Sequence, residues 1–173
     1  MQSSTIAATE KGVAAKADQR AGKYLTFELG HEEFGIQVLK VREIMGIQDI
    51  TAVPQTPAYV KGVINLRGKV IPVVDLRLKF GLPGIEYTQR TCIIVVQVPG
   101  EAGPMLMGIV VDCVSEVLNL SGADIEDTPD FGQGVTTSYL LGMAKMKGKV
   151  KILLEIDQVL TTKEIHGLDA LMQ

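Results

Sequence analysis

The run Val60-Lys61-Gly62-Val63-Ile64-Asn65-Leu66, the turn Arg67-Gly68-Lys69 and the run Val70-Ile71-Pro72-Val73-Val74-Asp75-Leu76 decide how this chain folds. Two short aliphatic runs around a glycine-containing turn specify a β-hairpin. Pro72 has no N–H to give a ladder, so the second strand is expected to be an edge strand or to carry a bulge. The pattern returns 80 residues later: Gly142, Met146, Gly148, Lys149, Val150, Glu155 and Ile156 stand where Gly62, Leu66, Gly68, Lys69, Val70, Asp75 and Leu76 stand, with Lys147 in the place of Arg67.

Upstream of each hairpin the likeness continues at an offset of 73, pairing Gly35, Ile36, Val38, Val41, Glu43 and Ile44 with Gly108, Ile109, Val111, Val114, Glu116 and Val117. The seven-residue difference falls in the polar, turn-rich stretch 121–137, read as a long loop. Such self-similarity marks a duplicated supersecondary unit. Each copy reads as strand, strand, short helix, strand, hairpin. Val41, Ile44 and Met45 recur at helical spacing, as do Val114, Val117 and Leu118, so a short helical turn is expected at both places. Leu76–Phe80 reads as another helical turn, Ile50–Val53 as a short strand, and Asp157 as the cap of a last helix.

About five short strands per copy suit a small closed barrel, which removes exposed edges. The expected class is therefore all-β: two five-stranded barrel lobes with short connecting helices and a C-terminal helix. The expected divisions are a flexible tail over 1–21, a domain over 22–166 and a C-terminal tail over 167–173. Within the domain, the first lobe takes about 24–83 plus the helix 157–165, and the second takes about 90–156. Each copy alone would be marginal, so the two should pack as one unit and leave a groove between them.

Composition agrees: 46% of residues are hydrophobic and 21% charged, with four Tyr, four Phe and no Trp, so Val, Ile, Leu and Met must fill the core. A net charge of −3 gives none of the basic surface that nucleic-acid readers use, and no Lys/Arg cluster points to a membrane surface. No apolar stretch approaches the roughly 20 residues of a membrane helix, and the N-terminal segment lacks a secretory signal's apolar run. A cytoplasmic protein is expected. Cys92 and Cys113 each sit in an apolar run, without a metal or redox spacing.

Reactive chemistry finds little support. Gly62 to Lys69 misses the phosphate-loop spacing and is flanked by two strands. His31 and His166 have no second ligand nearby, so no metal or cofactor is expected. Glu43 and Glu116 occupy equivalent positions and could face one another as an acid–base pair; the alternative is that each lies on a solvated face. Asp75 and Glu155, at strand ends, are expected to take backbone or basic partners.

The run from Pro54 through Asn65-Leu66-Arg67-Gly68 and Pro72-Val73-Val74-Asp75-Leu76-Arg77 resembles the signature of the CheW family, the coupling proteins of bacterial chemotaxis. The resemblance extends through 34–44 and 107–117 and covers roughly 22–164. It implies a pair of intertwined SH3-like five-stranded barrels, and an adaptor that is not an enzyme. It also implies partners: the cytoplasmic tips of methyl-accepting chemoreceptors, the regulatory domain of the histidine kinase CheA, and further copies in array rings. Carried over, Val41, Glu43, Ile44, Arg67 and Cys92 would face the receptor, while Gly108, Val114, Val117 and Phe131 would serve the kinase and neighbours in the ring. Met45 stands where many relatives carry a basic residue. Taken without the resemblance, Val41 and Ile44 read as core residues, Arg67 as a solvated turn residue, and Val114 and Val117 as packing. The competing readings are a scaffold for a non-chemotaxis kinase pathway and a small enzyme using Glu43 and Glu116.

Overall fold

The computed structural model describes residues 19–171. In chain order the strands are β1 (Gly22–Leu29), β2 (Glu32–Gln37), β3 (Val41–Gly46), β4 (Val60–Leu66), β5 (Lys69–Asp75), β6 (Cys92–Gly100), β7 (Gly103–Val111), β8 (Cys113–Leu120), β9 (Ile125–Glu126), β10 (Leu140–Met146) and β11 (Lys149–Leu154). Helices α1 (Leu76–Lys79) and α2 (Thr162–Leu171) and 3-10 turns at Val38–Lys40, Gly122–Asp124 and Ile156–Gln158 lie between and after the strands.

Two sheets form, one in the order β8-β1-β2-β11-β10-β9 and the other β3-β6-β7-β5-β4. The duplication superposes them strand for strand: β8, β1, β2, β11 and β10 correspond to β3, β6, β7, β5 and β4. Yet neither sheet is built from one copy. The first two strands of each copy leave their own hairpin and complete the lobe of the other: β1 and β2 join β8, β10 and β11, while β6 and β7 join β3, β4 and β5. The expected contiguous lobes, 24–83 and 90–156, therefore do not describe the sheets. A two-strand unit presents the same ladder edges to either copy's hairpin, so sequence proximity does not choose the partner. The two-residue strand β9 makes one sheet six-stranded; its counterpart in the other is a single bridge, Thr51 to Val63, in place of the short strand expected at Ile50–Val53.

The hairpin turns follow their sequence. Arg67 and Gly68 have φ of 50° and 85°, and Lys147 and Gly148 have 53° and 76°. Two central residues with positive φ match the right-handed twist of the flanking strands. Pro72 is opposite Val63 on β4, and the parallel ladder from β5 to β7 begins only at Val73, so the missing N–H costs no sheet bond there. The strand itself is interior to its sheet, not an edge. The bulge lies on β4, between Val60 and Gly62.

Alternate residues divide between two cores. On β6, Ile93 and Val95 point into their lobe with Ile64, Ile71 and Val73, whereas Ile94, Val96 and Val98 point to the junction between lobes. The matching residues of β1 behave alike: Tyr24 fills the other lobe, and Leu25, Phe27 and Leu29 enter the junction. Because the largest apolar cluster is the one shared between lobes, removing it from water ties them into one folding unit.

The last helix starts later than expected. Thr161 Oγ1 accepts from Glu164 N–H at 3.1 Å while Glu164 Oε1 accepts from Thr161 N–H at 2.8 Å, a reciprocal cap. Asp157 lies in the preceding 3-10 turn and pairs with Lys40 at 2.7 Å instead. The helix continues through 171 with Leu168 buried, so 167–171 is packed helix and not tail. At the other end Arg20, placed in the expected tail, is tied down: Tyr24 Oη donates to its carbonyl at 2.6 Å, and it pairs with Asp127 at 2.9 Å. The rest of that expected tail, 1–18, lies outside the described residues, as do 172–173.

Candidate docking surfaces

The segments expected to turn helical at Val41–Met45 and Val114–Leu118 are both strands, β3 and β8, and both are sheet edges. A register shift explains the misreading. The β3–β6 ladder slips between Val41 and Glu43, and the β1–β8 ladder slips between the facing residues Leu25 and Phe27. A bulge adds one residue, so side chains three apart share a face and imitate helical spacing.

The bulge also sorts the expected receptor-facing residues. Val41 is opposite Val96 and Ile44 is opposite Ile94, and both β6 residues face the junction core. Cys92 lies two residues before Ile94 on the same face and packs against that cluster. Val41, Ile44 and Cys92 thus share one face, with Ile44 45% exposed. Glu43 is opposite Val95 and belongs to the other face. There Arg67, at the tip of the β4–β5 hairpin, grips it with two hydrogen bonds, Nη2 to Oε2 at 2.8 Å and Nη1 to Oε1 at 3.2 Å. This fork holds the Glu43 carboxyl below its ordinary pKa. A carboxylate so paired is a poor proton donor.

The second set divides more widely. Val114 and Val117 occupy on β8 the positions that Val41 and Ile44 hold on β3; Val114 packs against the junction, and Val117 is 56% exposed. Gly108 is elsewhere, buried in the middle of the five-stranded sheet, where an added Cβ would stand 2.9 Å from Ile93 Cγ2. It makes room for the core and has no surface to offer a partner. Phe131, 54% exposed, rims a groove of about 860 Å³ walled by Phe34, Phe80 and Tyr139, apart from the β8 edge.

Glu43 and Glu116 do not face each other. They lie on edge strands of different sheets, and Glu116 is 3.4 Å from Lys151. Lys151 is the feature sequence reading missed: almost buried on β11, it also pairs with Glu33 at 2.5 Å. Burial works against its charge, but the two carboxylates outweigh that and raise its pKa. Alignment of the copies carried the signal, because Lys151 stands where Ile71 does. Asp75 accepts from Tyr87 Oη at 2.7 Å and Leu78 N–H at 3.3 Å. The Cys113 thiol donates to Glu28 at 3.3 Å; burial and that carboxylate push its pKa up. Among the described residues, no three His, Cys, Asp or Glu side chains converge as metal ligands, and no helix is long and apolar enough to cross a membrane.

A duplicated, strand-exchanged pair of SH3-like lobes with apolar residues on its open sheet edges defines a protein-binding scaffold. Residues 23–164 match the model of the CheW-like domain, and the chain belongs to that family of chemotaxis scaffolding proteins, which are not enzymes. It is 39% identical over 158 residues to the chemotaxis protein CheW of Klebsiella aerogenes, covering 91% of this chain and 93% of the relative. With the chemotaxis protein CheW of Rhizobium meliloti it shares 40% over 152 residues, 87% and 96% of the two chains. The crystal structure of the scaffolding protein TtCheW from Thermoanaerobacter tengcongensis superposes with a TM-score of 0.73 at 32% identity, over 83% of this chain and 97% of that one.

Proposed function

We propose that this protein couples the cytoplasmic tips of chemoreceptors to the histidine kinase CheA, at the inner face of the membrane and within receptor–kinase arrays. The observation that carries the reading is the pair of equivalent open edges, Val41–Ile44 on β3 and Val114–Val117 on β8, one on each lobe. A coupling protein needs two surfaces that can be occupied together, and edges on different sheets meet that need.

The β3 edge takes the receptor. A helix with an apolar stripe would lie against Val41, Ile44 and Cys92, while the Arg67–Glu43 pair at the hairpin end fixes polar register. The β8 edge takes the kinase's regulatory domain through Val117, and Phe131 serves a neighbour in a ring. Single contacts of order micromolar Kd suffice, because an array supplies avidity.

Reconstitution with a receptor cytoplasmic fragment and CheA tests this. ATP-dependent kinase autophosphorylation should depend on adding this protein. Arg67→Glu should weaken co-sedimentation with the receptor fragment and leave the unfolding midpoint nearly unchanged, since Arg67 is an exposed turn residue. Normal receptor binding by that variant removes Arg67 from the site, and kinase activity indifferent to the protein removes the coupling role.

A further inference from the structure

The duplication supplies an internal control for surface charge. At the hairpin end of the five-stranded sheet a groove of about 540 Å³ has Leu66, Met105 and Leu106 as its apolar floor. Arg42, Arg67 and Lys69 stand along it, against one carboxylate, Glu43. Arg67 is engaged with Glu43. Arg42 is steadied by neutral groups, donating from Nε to Gln97 at 2.8 Å and from Nη1 to the Leu39 carbonyl at 3.2 Å. Arg42 and Lys69 have no acidic partner among the described residues. Two positive charges are thus left uncompensated on a chain whose net charge is −3.

The same end of the other lobe is built differently. By the register of the two ladders, Gln97, Met105 and Leu106 correspond to Glu28, Glu32 and Glu33, and Arg42 corresponds to Ser115. Lys147, Lys149 and Lys151 stand there with Glu28, Glu32, Glu33 and Glu116, and Lys151 pairs with Glu33 and Glu116. That end is polar and carries more carboxylates than cations. Its twin has an apolar floor and more cations than carboxylates, which packing does not require, since the acidic, polar version packs in the same fold.

We propose that the groove between Arg42, Arg67 and Lys69 docks a partner protein segment that sets an apolar side chain between acidic residues. The apolar group covers Leu66, Met105 and Leu106, and carboxylates meet Arg42 and Lys69, where opposite charge speeds encounter and rejects basic segments. This deepens the scaffold reading only in taking the occupant to be protein.

The test uses the full chain, 15N-labelled, titrated with three synthetic amphipathic 14-residue peptides that share a leucine stripe and differ in flanking residues: Glu, Gln or Lys. The Glu peptide should shift the Lys69 and Leu106 amides and bind at least tenfold more tightly than the Gln peptide, with an advantage that fades as salt rises. Arg42→Glu/Lys69→Glu should lose that advantage without lowering the unfolding midpoint, whereas Lys147→Glu/Lys149→Glu should keep it. Equal binding of Glu and Gln peptides, or a double variant that binds normally, overturns the proposal. Receptor co-sedimentation run in parallel separates the two readings: receptor binding with an unresponsive groove sinks the dock alone, and a responsive groove without receptor binding sinks the receptor assignment alone.

Discussion

Glu164 of α2 stands 2.6 Å from Lys79 of α1, joining two helices 85 residues apart in sequence. The same carboxylate accepts hydrogen bonds from Tyr59 Oη and from Thr161 N–H. Burial alone would raise its pKa, but Lys79, Tyr59 and Thr161 outweigh it and hold the carboxyl at about 2. Free in an unfolded chain it titrates near ~4.3. Its folded value is the lower one, so its stabilisation is complete above the unfolded value and is lost as pH falls toward 2. At neutral pH this amounts to at most about 3 kcal/mol. Glu164→Gln should therefore lower the denaturation midpoint at pH 7, and the gap to the parent protein should shrink as pH falls, to roughly a quarter of its neutral value by pH 2.5. A gap that stays constant across that range contradicts the linkage.

Gly62 passes so near Thr51 that an added Cβ would lie 2.0 Å from its carbonyl oxygen, with φ at 139°. Neither backbone can yield without breaking the Thr51–Val63 bridge, whose two hydrogen bonds are each 2.9 Å. Gly68 also has positive φ, but open space surrounds it. Gly62→Ala should cost about 3 kcal/mol or more, against about 1–2 kcal/mol for Gly68→Ala, where only the backbone preference is lost. Equal losses in urea titrations would count against the close approach.

Lys151 and Glu33 correspond to Ile71 and Leu106 in the other lobe, so the fold accepts either pair. Lys151→Ile alone leaves Glu33 and Glu116 facing each other without their cation and should destabilise by roughly 1–3 kcal/mol. Adding Glu33→Leu should recover most of that. Additive losses in the double variant would show that the two positions act independently.

Gly108 and Val117 separate packing from docking. Gly108→Val drives methyl groups toward Ile93 and Val73 and should unfold the five-stranded lobe. Val117→Glu, on an exposed edge, should hold its midpoint within about 0.5 kcal/mol while weakening CheA binding more than receptor binding. Equal loss of both partners, or unfolding, would return Val117 to a packing role.

Much of the fold was legible residue by residue. The hairpins at Arg67-Gly68 and Lys147-Gly148 and the helical turn after Asp75 are local patterns with local causes. The candidate docking residues were legible only through the family resemblance, because exposure on an edge strand leaves no local pattern. Of the residues that the resemblance singles out, Ile44 and Val117 are exposed, whereas Gly108 is buried and its lack of a side chain makes room for Ile93. The helical spacing at Val41 and Ile44 misled for a defined reason: a bulge shifts the parity of a strand and leaves no mark in one sequence.

The order of amino acids by itself determined that there would be short strands, where they would turn, and that the unit was written twice. Only the tertiary structure decided that each copy lends its first two strands to the other's lobe, that Glu43 and Ile44 face opposite ways, and that Lys151 is held between Glu33 and Glu116 while Arg42 and Lys69 at the other hairpin end border an apolar groove. Turns and alternation are set within a few residues. Ladder partners, bulge parity and charge pairing depend on which distant backbone arrives alongside, and equivalent strands offer equivalent hydrogen bonds until the shared core selects between them.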